Sequence, residues 1–145
     1  MIVVKDSKRI NQDMLKQAIK LGDAELFDYM LEKDGKMGDE KFGKSLNRPL
    51  HIACEYGRVE FVKKLVQVYQ AEVNSICPLT GYTPLMYAVQ AGKSEIVQFL
   101  CSKEIRADYS IRSTFTDRDA YEIAVDAHFD KIATFLEKLD YLKSS

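Results

Sequence analysis

Apolar residues run along the chain in doublets one helical turn apart. Phe61 and Val62 are followed by Leu65 and Val66, and the spacing returns in Leu26, Phe27, Met30 and Leu31 and in Ile96, Val97, Leu100 and Cys101. A fourth set, Ile132, Ala133 and Leu136, keeps the register. Positions i, i+1, i+4 and i+5 share one side of an α-helix, so each set predicts a short helix with one buried face. A second series precedes the first. Pro49-Leu50-His51-Ile52-Ala53-Cys54-Glu55-Tyr56-Gly57 aligns with Pro84-Leu85-Met86-Tyr87-Ala88-Val89-Gln90-Ala91-Gly92, 35 positions further on. Stepping back by 35 from Ala53 and Gly57 reaches Ala18 and Gly22, and stepping forward by 36 from Ala88 reaches Ala124. The pattern therefore occurs four times. A period of this length marks units that bury their apolar faces by stacking on one another.

Each unit reads as two short helices and a long connection. Thr83 before Pro84, Asp13 before Met14 and Asp119 before Ala120 offer cap oxygens to the first turn, where proline loses no hydrogen bond. Gly22, Gly57 and Gly92 fall where the first helix must stop, in a left-handed backbone that suits glycine. His128 stands in that column in the fourth unit and is expected to take the same backbone. Ala18, Ala53, Ala88 and Ala124 are small enough for close helix packing between units. The connections, residues 33–47, 71–82 and 106–118, are polar or turn-rich and of a length to form extended hairpins. The first holds Gly35, Gly38 and Gly43 among many charges and is expected to be the most mobile. This gives one domain over residues 1–145, with units at roughly 11–45, 46–80, 81–116 and 117–145.

Gly81-Tyr82-Thr83-Pro84-Leu85, Pro49-Leu50-His51-Ile52-Ala53, the glycines at 57 and 92, and Ala71-Glu72-Val73-Asn74 together resemble the ankyrin-repeat family, with its G-x-T-P-L and A-D-V-N signatures. The likeness covers about residues 11–142 and is strongest in the middle two units. Residues 11–31 lack the proline and histidine, and residues 119–137 carry Ala120 for the proline and His128 for the glycine. The outer face of an end unit meets water, so divergence there is expected. Asp130, Lys131, Thr134, Glu137 and Lys138 fit such a face, and Leu139, Tyr141 and Leu142 are expected to cover the end of the core. The resemblance implies an all-α solenoid of about four helix-turn-helix units joined by β-hairpin loops.

Composition narrows the function. The chain has 145 residues, 46% hydrophobic and 30% charged, enough for a core of its own. Its net charge is −1, spread evenly: residues 1–72 hold 13 basic and 12 acidic groups, the remainder 8 and 10. A nucleic-acid footprint or a polybasic membrane patch needs charge concentrated on one face or tail. No apolar run approaches the roughly 18–20 residues of a membrane helix. The apolar start Met1-Ile2-Val3-Val4 is also too short for a secretory signal. Cys54, Cys77 and Cys101 are odd in number and widely spaced, which suits neither a disulfide framework nor a zinc pair. A reducing compartment, the cytoplasm or the nucleus, is expected.

Candidate chemistry is sparse. His51 and Cys54 are three residues apart on one helix, the spacing of a nucleophile and its base. Yet Cys54 shares a column with Ile19, Val89 and Val125, which makes it a core residue, and by the resemblance His51 bonds between repeats. His128 lies between Asp126 and Asp130, but side chains two apart do not face each other on a helix. No glycine-rich loop is present to cradle phosphates. Neither a metal, a cofactor nor a catalytic residue is expected.

Function then rests on surface recognition. By the resemblance, contacts come from residues just before G-x-T-P-L and from the two positions before the reversing glycine. Unit three offers Leu79, Thr80, Tyr82, Gln90 and Ala91; unit two offers Asn47, Arg48, Glu55 and Tyr56; unit four offers Phe115, Arg118, Asp126 and Ala127. Tyr56, Tyr82, Phe115, Arg48 and Arg118 are of the types that carry much of the energy at interfaces. An aromatic in these places can instead pack on the adjacent hairpin. Arg48 stands where Thr83 caps its own unit, so either Asn47 takes over the cap or Arg48 is free for a partner's carboxylate. The resemblance implies a non-catalytic protein-interaction module (adaptor, scaffold or inhibitor), monomeric alone, binding a protein through a concave face and hairpin tips. Nucleic acid and membrane are not expected partners. The alternative is a structural subunit built permanently into a larger assembly.

Overall fold

The computed structural model describes residues 12–34 and 46–144, and among these it shows eight helices and no strand. They are α1 (Gln12–Leu21), α2 (Ala24–Asp34), α3 (Asn47–Glu55), α4 (Val59–Lys63), α5 (Pro84–Gln90), α6 (Ser94–Leu100), α7 (Ala120–Asp126) and α8 (Asp130–Ser144). Helix α4 widens into a π turn over Lys64–Val68. The first helices α1, α3, α5 and α7 pack side by side, and each also packs on the second helix of its own pair.

The alanine column makes this close approach possible: Ala18, Ala53, Ala88 and Ala124 are all fully buried. The doublets of the second helices fill the layer behind, with Phe27, Leu31, Leu65, Ile96 and Leu100 fully buried. Phe27 of α2 stacks on Phe61 of α4 with ring centroids 4.2 Å apart and planes 7° from parallel. Polar ties add to the stack. Arg58 donates through Nε to Ile19 O at 2.9 Å and through Nη2 to Lys20 O at 2.6 Å, satisfying carbonyls at the end of α1. Asn74 Oδ1 accepts from the Asp108 amide at 2.8 Å, linking successive connections.

The reversing column has the expected backbone, with φ of +73°, +73° and +71° at Gly22, Gly57 and Gly92 and +63° at His128. Gln70 and Arg106, 36 positions apart, also take positive φ, as do Gly81 and Asp117. The backbone thus repeats where the sequence does not.

Three local expectations are revised. The connections after α4 and α6 are tight fingers rather than stranded hairpins. In each, a bond between residues five apart closes a turn: the Cys77 amide donates to Tyr82 O at 2.9 Å, and the Ser113 amide to Arg118 O at 2.8 Å. The first connection, with its three glycines, lies mostly outside the described residues. Thr83 and Asp119 cap α5 and α7, accepting from the Met86 and Glu122 amides, whereas Asp13 lies inside α1. At the far end Leu139 packs on the core, but Tyr141 and Leu142 are 72% and 67% exposed and do not cover it.

Candidate protein-binding face

The fingers and the ends of the first helices form one face. Glu55 and Tyr56 leave the end of α3, and Gln90 and Ala91 the end of α5, in equivalent places. Asp126 and Ala127 do so on α7. Tyr56 is 42% exposed, with Lys20 Nζ 6.0 Å from its ring centroid. Leu79 and Phe115 project from the two finger tips, 77% and 66% exposed.

Between the third and fourth units this face opens into a groove of about 370 Å3 lined by Tyr82, Gln90, Arg118 and Asp126, with Thr116, Ile123 and Ala127 completing it. Four candidate residues from separate stretches of chain therefore share one depression. Tyr82 is only half-exposed, its ring edge-on to Tyr87 at 5.6 Å. Thr80 Oγ1 lies 2.6 Å from the Tyr87 hydroxyl, so both residues brace the finger as well as border the face.

Arg48 is held by the neighbouring unit. Its Nη1 donates to the Tyr87 hydroxyl at 3.3 Å and its guanidinium sits 5.8 Å from that ring's centroid. Asn47 does not cap α3. Its amide pairs twice with Glu72, accepting from the backbone amide and donating to the carboxylate, both at 3.3 Å. The cap position is held by Leu46, which offers no side-chain bond.

Arg118 is engaged too, with Nη1 2.8 Å from Glu122 and Nε 3.2 Å from Asp126. Arg112 reaches Glu122 from the other side at 3.0 Å and Asp117 at 2.8 Å. The hydrogen bond from Arg118, with help from the Asp119 amide and Arg112, holds the Glu122 carboxyl below its ordinary value. A carboxylate with a lowered pKa stabilises the fold above the unfolded pKa and loses that contribution as pH falls through the folded one. Acid titration below about pH 4.3, the ordinary Glu value, should therefore loosen the 112–122 finger before the core. Glu122→Gln should flatten this dependence, read from the amide signals of Ser113 and Asp117.

The residues weighed for chemistry are structural in their surroundings. His51 is buried and its Nε2 donates to Ser75 O at 2.8 Å. Burial keeps its pKa below 6.5, so the ring is neutral at pH 7, and Nδ1 has no partner among the described residues. Cys54 is fully buried, and burial pushes its thiol far above the ordinary range. Among the described residues no three metal-binding side chains converge, and no helix is long and apolar enough to cross a membrane.

One face residue escaped the sequence reading. Leu21 is 74% exposed and lies in the column of Tyr56, Ala91 and Ala127, so an apolar row runs across all four units. The signal was present: Leu21 is Tyr56 stepped back by one period.

A family model described as "Ankyrin repeats (3 copies)" matches residues 15–113 and 50–140. The chain belongs to the ankyrin-repeat family. It is 36% identical over 84 residues, 58% of its length, to mouse "Ankyrin repeat and SOCS box protein 11", and spans about a quarter (24%) of that relative. It also superposes, with a TM-score of 0.75 and 26% identity, on a chain of the crystal structure of the yeast ribosomal protein Rps3 in complex with its chaperone Yar1. That match covers 90% of this chain and 93% of the other. Ankyrin repeats are protein–protein interaction modules.

Proposed function

We propose that the chain is a non-catalytic adaptor that holds one protein partner against the row Leu21, Tyr56, Ala91 and Ala127, the groove beside Tyr82, and the finger tips. Arg48, Glu55, Leu79, Thr80, Gln90, Phe115, Arg118 and Asp126 belong to or border that face. The groove carries the reading: residues from two fingers and two helix ends converge there. Leu79, Phe115, Leu21 and Tyr56 leave large apolar surfaces in water, a cost that a partner removes. The likeness to a chain from a chaperone–ribosomal protein complex supports a holding role. Three unpaired cysteines suit a reducing compartment, cytoplasm or nucleus, and the chain works as a monomer until it meets its partner.

The test is a double substitution, Leu21→Ala with Tyr56→Ala, on side chains that touch little of the core. Binding of the partner purified from the native source should weaken at least tenfold, a scale that hot-spot truncations of about 2 kcal/mol readily reach. The thermal melt should stay in place. Unchanged affinity would overturn the assignment of the face.

A further inference from the structure

The groove between the third and fourth units combines apolar and charged lining. Ile123 is buried and Ala127 and Tyr82 are half-buried, while Gln90 of α5 and Asp126 of α7 are exposed. Its volume, about 370 Å3, lies near the small end of binding clefts. A helix, about 10 Å across with its side chains, is too wide to enter. A single long side chain fits.

The charge beside the groove is unbalanced. Arg118 bridges Glu122 and Asp126. Arg112 bridges Asp117 and Glu122 and lies 3.9 Å from Asp119. Two guanidiniums therefore meet four carboxylates, and the network keeps a surplus of negative charge. Asp126 stands at its groove end. Arg118 Nε reaches Asp126 Oδ2 at 3.2 Å, and the Asp126 side chain is 53% exposed. A carboxylate accepts about four hydrogen bonds, so Asp126 can take a second cation without giving up Arg118.

Taking the finger side as the binding face, we propose that this groove receives one lysine or arginine side chain of the protein partner. The methylenes of that side chain lie against Ile123 and Ala127, as long basic side chains do on apolar surface. Its charged head donates to Asp126 and to the side-chain oxygen of Gln90, and the Tyr82 ring adds an attraction for a cation. A partner carboxylate would meet the surplus negative charge. An apolar side chain would strip water from Asp126 and return no hydrogen bond.

Asp126→Asn removes the charge while the substituted amide still accepts from Arg118 through its oxygen. It should weaken binding of the purified partner about tenfold, and added salt should weaken binding to the unaltered chain more than to the variant. Small probes read the groove itself. N-acetyl-arginine amide and N-acetyl-lysine amide, at millimolar concentration, should shift the amide signals of Tyr82, Gln90, Ile123 and Ala127 in a nitrogen-15-labelled chain. The glutamate and leucine counterparts should not, and Asp126→Asn should abolish the response to the basic probes. Partner binding weakened by Leu21→Ala with Tyr56→Ala but untouched by Asp126→Asn would overturn the basic contact and leave the face standing. Binding untouched by either change would overturn both. No shift at these four residues, or an equal shift with the glutamate or leucine probe, would also overturn the basic contact.

Discussion

Phe27→Ala should destabilise the chain by about 3–5 kcal/mol, the range for truncating a buried aromatic. Phe27 is fully buried and stacks on Phe61, so one side chain joins the first helix pair to the second. The lost area and stacking fall at an end of the described array, where among the described residues α2 has a neighbouring pair on one side. Stability in a stacked array is a sum of unit terms and nearest-neighbour interfaces, so loss at one junction releases the end unit first. Amide exchange should show α1 and α2 unprotected while α5 to α8 remain protected. Phe27→Leu, which keeps most of the volume, should cost clearly less. Equal, small effects of both would mean that this junction does not hold the stack together.

Gly81→Ala should cost about 2–3 kcal/mol, lowering Tm by roughly 2–4 °C per kcal/mol. The residue has φ +74°, where a side chain costs about 1–2 kcal/mol. A Cβ there would also lie 2.8 Å from Thr114 Cβ and 2.9 Å from the Thr114 backbone nitrogen, and backbone cannot swing aside as a flexible side chain can. The displaced finger would lose the bond from the Thr114 amide to Gly81 O, now 3.1 Å, for about 1 kcal/mol more. Because this contact joins the two fingers bordering the groove, partner affinity should fall with stability. An unchanged melt would show that the fingers are not packed against one another.

The helix pairs were legible because the chain writes them repeatedly. Alanines 18, 53, 88 and 124 and the glycines of the reversing column occupy one register, and even His128 was placed in its left-handed backbone from its column alone. Gln70 and Arg106 take the same kind of backbone unannounced, since neither residue type signals positive φ. The site was legible by position but not by contact. Column counting finds Tyr56, Leu79 and Phe115 and could have found Leu21, because exposure at those places follows from the repeat. Whether Arg48 reaches outward or lies against Tyr87, and whether Asn47 caps its helix or grips Glu72, depends on side-chain torsions and on partners 39 and 25 residues away. The tail of α8 misled for a related reason. Tyr141 and Leu142 continue an apolar pattern, yet both stay largely exposed.

Hydrogen exchange on the chain alone and saturated with its purified partner decides whether recognition lies on the finger side. Added protection is expected at residues 20–21, 55–56, 79–82, 115–118 and 126–127, with little change along the second helices. Protection confined to α2, α4 and α6, with those finger-side segments unaltered, would contradict it.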